Sequence, residues 1–214
     1  MKVLSLGCAC QVKFNIDRLF KKEETHFFDW LITDFQSVLY ILKNINDKEV
    51  ISESKFTDKD VFLMKKTWTD CHKIEHLNFK MISTHDLLKT TNYIDNMKEF
   101  ILKYERRLNR LKNLIIGNEN VHMIHCIDHQ FMDGYIPTES DIYYYKRYLH
   151  EINILHKCFL HVVIPPKYNN LDLNCLIQER IYVYYLHDKG KVCGDWANTT
   201  YNWNIVFDNI TNIG

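Results

Sequence analysis

The chain is poor in the residues that break or loosen a backbone. Its 214 residues include 3 prolines and 6 glycines, and alanine stands only at Ala9 and Ala197. No linker, repeat or low-complexity tract can be drawn from that supply, so no domain boundary is placed. Net charge is missing too, with 27 Lys+Arg against 27 Asp+Glu. A chain with no positive balance is not built chiefly to grip nucleic acid or an anionic membrane, and neither is expected as a partner. No apolar run approaches the roughly 18 residues that span a bilayer. No secretory signal is expected, because the apolar stretch Val3 to Cys10 is short and ends in Gln11 without a small-residue cleavage site. Residues with GC-rich codons are the scarce ones, while Asn, Lys, Ile and Tyr abound. That bias suits an AT-rich genome, such as that of a large DNA virus.

What is present is a globular composition, with 46% hydrophobic and 25% charged residues. The length predicts one soluble domain over residues 1–214, able to bury a core without staples. The seven cysteines (8, 10, 71, 126, 158, 175 and 193) are odd in number and scattered. They point to a reducing, cytoplasmic compartment rather than a disulfide framework. The two N-glycosylation patterns, Asn198-Thr199-Thr200 and Asn209-Ile210-Thr211, are then idle.

Val3 to Leu6 reads as a strand closing at Gly7, and Val12, Ile16, Leu19 and Phe20 recur at helical spacing after it. Residues 25–32 form a compact apolar piece, and Asp34 suits the N-cap of a helix carrying Val38, Leu39, Ile41 and Leu42. Strands are predicted at Val61–Met64 and Phe79–Ser83, the second ending at Thr84-His85-Asp86. The clearest helix covers 93–115, with Met97, Phe100, Ile101, Tyr104, Leu108, Leu111 and Ile115 on one face. Beyond it lie a strand at Val121–Ile127, a helix at Glu139–Leu155, strands at Phe159–Ile164 and Ile181–Leu186, and a closing helix at Tyr201–Ile210. This alternation predicts an α/β fold, a three-layer sandwich around a largely parallel, Rossmann-like sheet.

In such sheets ligands collect beyond the carboxyl ends of strands. Ser5-Leu6-Gly7-Cys8-Ala9-Cys10 occupies that position. Gly7 permits a tight turn, and Cys10 falls in the first turn of the helix, where free backbone N–H groups lower a thiol pKa from about 8.5. The bland alternative is a small buried hydrophobe. Asp29, between Phe28 and Trp30, must find donors; it either caps a turn or serves a site.

Ser5-Leu6-Gly7-x-x-Cys10-x-Val12 followed by Phe28-Asp29-Trp30-Leu31 resembles the opening of the putative papain-like cysteine peptidase family. His85-Asp86 and Arg106-Arg107-x-x-Arg110 match further motifs, and the likeness runs over roughly residues 3–127. Two departures stand out: Phe27 occupies a position where the family usually has Pro, and His122-Met123-Ile124-His125 replaces an apolar run ending in Arg. The resemblance implies Cys10 as nucleophile, His85 as base, and Asp86 or Asp29 as the group orienting the imidazole. It also marks Ser5, Gly7, Trp30, Arg107 and Arg110 as ligand contacts. Without it, the arginines read as a solvated helix face and Asp86 as an N-cap for the helix that follows.

His122, His125, Cys126, Asp128 and His129 are metal-type residues, yet strand alternation splits them between two faces and no paired motif accompanies them. No metal and no cofactor is expected; His125 is instead a candidate to line the Cys10 cleft. Three readings follow. The first is a cysteine-dependent hydrolase or acyl-transfer enzyme acting on a peptide or small molecule. The second is an α/β enzyme for a glycan or nucleotide-sugar, with an anion at the first turn. The third is a non-catalytic interaction protein on the same fold. The oligomeric state is not legible.

Overall fold

The computed structural model describes residues 1–7, 10–21, 24–58, 71–78, 81–88, 90, 92–127, 139–151, 157–177, 179–188 and 200–213. The expected strand Val61–Met64 lies outside them, as do Cys8, Asp128, His129 and the start of the expected strand at Phe79.

Strands β1 (Lys2–Ser5), β6 (Val121–Cys126), β7 (Cys158–Ile164) and β8 (Ile181–Tyr185) form one parallel sheet in the order β1-β6-β7-β8. Every residue of β6 is buried, as expected of a parallel strand covered on both faces. Helices α1 (Cys10–Phe20) and α5 (Asn204–Ile213) lie on one side. There Val12, Ile16, Val206 and Phe207 pack against Ile124, Cys126 and Val163. On the other side α2 (Phe35–Lys43) and α4 (Glu139–Glu151) bring Phe35, Tyr145 and Tyr148 onto Met123 and Leu160. These are the three layers of an α/β sandwich. Asp34 caps α2, accepting from the Ser37 N–H at 2.8 Å. Among the described residues no helix is long and apolar enough to cross a membrane.

The structure adds a second sheet that the sequence pattern does not announce. It is antiparallel, in the order β2-β5-β4-β3, made of β2 (Leu31–Thr33), β3 (Phe56–Asp58), β4 (Cys71–His76) and β5 (Met81–Leu88). Two of these strands have only three residues. Strand β4 reads Cys-His-Lys-Ile-Glu-His, with little of the aromatic and β-branched density that marks a strand. The long helix α3 (Tyr93–Ile116) packs along β5, and its N-cap is Asn92, accepting from the Ile94 N–H at 2.9 Å. His85 and Asp86 therefore do not follow a strand or cap a helix; they stand inside β5, which the Leu87 and Leu88 pairings with β4 carry past them.

A polar chain crosses the α1/α5 side of the parallel sheet. The ring nitrogens of His122 and His161 share a hydrogen bond at 2.9 Å, and His161 reaches the Tyr184 hydroxyl, also at 2.9 Å. Tyr184 donates onward to Asn209 at 2.8 Å. Burial, helped by the neighbouring His122, pushes the His161 pKa down from 6.5 to about 3. The unfolded chain then takes up this proton first, so stability present above pH 6.5 is lost as pH falls towards about 3. This group should cost about 2 kcal/mol between pH 6.5 and 5. His161→Phe, which keeps a ring against Tyr182 and Tyr184, should flatten that part of the urea-midpoint profile. An identical acid slope in variant and wild type would refute the assignment.

Candidate active site

The site begins where β1 ends. Gly7 has φ +86°, a conformation costly for any residue with a Cβ. A Cβ there would also stand 2.1 Å from the Thr33 hydroxyl. That hydroxyl donates to the Leu6 carbonyl at 2.8 Å, joining the end of β1 to β2. Ser5, expected as a ligand contact, is fully buried, and its hydroxyl accepts the Gly7 N–H at 3.1 Å. Ser5, Gly7 and Thr33 together fix the turn that delivers the chain to Cys10.

Cys10 opens α1, half-buried, and its Sγ lies 3.1 Å from Nε2 of His85, an exposed residue of β5. The two residues are 75 positions apart and come from different sheets' territories, one from the parallel sheet's first crossover and one from the antiparallel sheet. Burial pushes the Cys10 thiol up from 9.0 to about 11; its own backbone N–H opposes this, and the negative charge of Asp86 adds to it. Burial likewise lowers His85, against the pull of Asp86. The pair therefore rests as neutral thiol and neutral imidazole. The expected acidification of Cys10 by the helix end is outweighed by desolvation.

Asp86, expected to orient the imidazole, is the next residue along the strand and so projects to the opposite face. Its carboxylate is held by Ser83, Lys103 and the Tyr104 hydroxyl. Although burial alone would raise its pKa, the Lys103 cation and these donors keep it below the ordinary value. Asp86 clamps β5 to α3. Asp29 is wholly buried; it accepts the His26 N–H at 2.7 Å and lies 3.6 Å from the Lys13 ammonium. Burial raises it to about 7 against the His26 N–H, Lys13 and Arg107, with Asp17 adding to the rise. Neither carboxylate reaches His85.

Of the three arginines read as a solvated face, Arg106 is exposed, while Arg107 and Arg110 are placed differently. Arg107 is buried, over the Tyr104 ring at 5.0 Å, and its Nη1 has no hydrogen-bond partner among the described residues; nor has Oδ1 of Asp29. Arg110 donates to the Thr25 carbonyl and pairs with Glu24 at 3.4 Å. Arg110 ties α3 to the segment before β2. Phe27, where the family usually has Pro, is buried edge-on to Phe28 at 5.0 Å and to Tyr104 at 5.6 Å. His125 is sealed on the α2/α4 side, sharing a 2.7 Å hydrogen bond with Tyr145 and packing on Phe35. It belongs to the core rather than to the Cys10 cleft. Among the described residues no group of three or more His, Cys, Asp or Glu could hold a metal ion.

Trp30 is half-buried, with φ +67°, strain of about 1–2 kcal/mol for a non-glycine residue. Its ring meets that of His85 edge-to-face, centroids 6.3 Å apart. Sequence reasoning missed Thr33, Ser83, Lys103 and Tyr104. The last three leave a trace only once β5 is known to run beside α3.

Neither the curated proteins nor the solved structures contain a match to the chain. A family match does exist: residues 1–133 fit the family described as "Putative papain-like cysteine peptidase". That span holds β1, α1, the whole antiparallel sheet, α3 and β6, and with them every residue of the Cys10–His85 site. A match over more than half of the 214 residues makes the chain a member of the putative papain-like cysteine peptidase family.

Proposed function

We propose that the protein is a cysteine-dependent hydrolase or acyl-transfer enzyme working through Cys10 and His85. The 3.1 Å contact between sulfur and imidazole nitrogen is the observation that carries this reading. As Sγ bonds to a carbonyl carbon, the thiol proton passes to Nε2 of His85. The negative charge then on the carbonyl oxygen is met by backbone N–H groups at the start of α1. His85 returns the proton to the departing amine or alcohol, leaving a thioester on Cys10. Water, or an acceptor amine in a transferase, attacks that thioester with His85 again taking the proton.

The neutral resting state suits this sequence, since a proton must move to His85 only when the electrophile arrives. Substrates that fit are peptides or small acyl compounds. Arg110 is engaged by Thr25 and Glu24, and Arg107 is buried, which weighs against an anion site built on these two.

Mixing the protein with a panel of activated esters tests the proposal by mass spectrometry. An acyl adduct on Cys10, with a burst of leaving group, is expected. Cys10→Ser and His85→Ala should each lose the adduct by at least about 10²-fold. Adducts spread over other cysteines, with none favouring Cys10, would contradict it.

A further inference from the structure

A cysteine–histidine pair of this kind usually depends on a third group that holds the imidazole. The carboxylates that the sequence offers for that role are occupied elsewhere: Asp86 by Ser83, Lys103 and Tyr104, Asp29 by His26 and Lys13. His85 touches the Cys10 sulfur on one side and the Trp30 ring on another. We infer that Trp30 is the positioning residue of the site, holding the His85 ring against Cys10 by an edge-to-face aromatic contact in place of a carboxylate or amide. The inference rests on the Cys10–His85 reading above and extends it.

The backbone around Trp30 is arranged to present that ring. Phe28 and Asp29 are both fully buried. The Asp29 carboxylate holds the His26 N–H, and the Leu31 N–H donates to the Phe28 carbonyl at 3.2 Å. Leu31 then enters β2, paired with Ser83 of β5, two residues before His85. With anchors on both sides, residue 30 takes the left-handed conformation at φ +67°, and its side chain stands beside the imidazole. Strain of this kind persists only where surrounding structure over-determines it, and it gathers at functional sites. Buried Asp29 thereby acquires a role, because it sets the turn and the turn sets Trp30. The interplanar angle of 77° is that of an edge-to-face aromatic contact.

Two variants separate the ring from the backbone. Asn tolerates left-handed φ, so Trp30→Asn removes the aromatic contact with little backbone penalty, whereas Trp30→Phe keeps an aromatic ring. The readout is the rate of Cys10 alkylation by iodoacetamide across pH, measured in wild type, both variants and His85→Ala. Trp30→Asn should lose roughly three- to tenfold at neutral pH, and Trp30→Phe should retain most of the rate. The loss in Trp30→Asn should vanish in a His85→Ala background, because the ring acts through His85. Trp30→Asn alkylated like wild type over the whole pH range would overturn the inference while leaving the dyad intact. If His85→Ala itself leaves the rate unchanged in otherwise wild-type protein, the dyad and this inference fall together. Should Trp30→Asn not fold, Trp30→Phe against Trp30→Leu gives the same contrast.

Discussion

Gly7→Ala should destabilise the protein by about 3 kcal/mol, the sum of left-handed backbone strain and overpacking in a filled site. The added methyl would sit 2.1 Å from the Thr33 hydroxyl and 3.2 Å from the Leu31 carbonyl, at φ +86°. Neither neighbour can withdraw freely. The hydroxyl is bonded to the Leu6 carbonyl, and Leu31 is paired with Ser83 of β5. The clash therefore strikes a place where the parallel and antiparallel sheets are stitched together, which also sets the spacing between Cys10 and His85. Because the two side chains meet, the effects should not add: Gly7→Ala with Thr33→Ala should be no less stable than Gly7→Ala alone. Chemical denaturation measures both. A Gly7→Ala protein within about 0.5 kcal/mol of wild type would mean the turn has another shape.

The second large effect concerns the proton. With Cys10 raised to about 11 and His85 lowered, the difference in ultraviolet absorbance between wild type and Cys10→Ser should contain no thiolate band at neutral pH. The band should grow in only as pH approaches about 11. The sign is that of a buried acid: desolvation favours the uncharged thiol, so the thiolate appears at higher pH than the ordinary value of 9.0. A thiolate band persisting down to about pH 5 would identify a pre-formed ion pair, as in enzymes whose histidine holds the cysteine proton at rest. His85 would then be charged in the ground state, and the neutral pair would be wrong.

Much of this was legible in the chain, and the reasons differ residue by residue. The parallel sheet showed itself because β1, β6 and β7 are runs of residues buried on both faces and bounded by helices with clear periodicity. Asp34 as a cap, the α3 face from Met97 to Ile115, and the stop at Pro165 are local facts that local rules capture. The antiparallel sheet was illegible because β2 and β3 are three residues each and β4 is polar, so their order comes from pairing with β5 and with one another rather than from their own composition. That one gap explains the misplacement of Asp86. Read as a residue after a strand, it looked free to cap a helix or face His85; inside β5 it must turn away from its neighbour and meet α3.

The buried charges could not have been read either. Lys13 and Asp17 fall between the apolar positions of α1, and Lys13 pairs with Asp17 at 2.6 Å. Yet Lys13 is buried and also donates to the Glu24 carbonyl at 2.8 Å, beside Asp29. Only the fold brings those segments together. The resemblance to a family located Cys10, Asp29, Trp30, His85 and Arg107 and implied a role for each. The structure divides them into a pair that meets, Cys10 and His85, and a set that packs around it.

The most direct measurement is a time course of iodoacetamide labelling at neutral pH, mapped by peptide mass spectrometry, with exposed Cys175 as the internal reference. His85→Ala should slow Cys10 by about 10²-fold while leaving Cys175 unchanged. Cys10 labelled at the same rate with or without the imidazole would contradict the claim that these two side chains form a reacting pair.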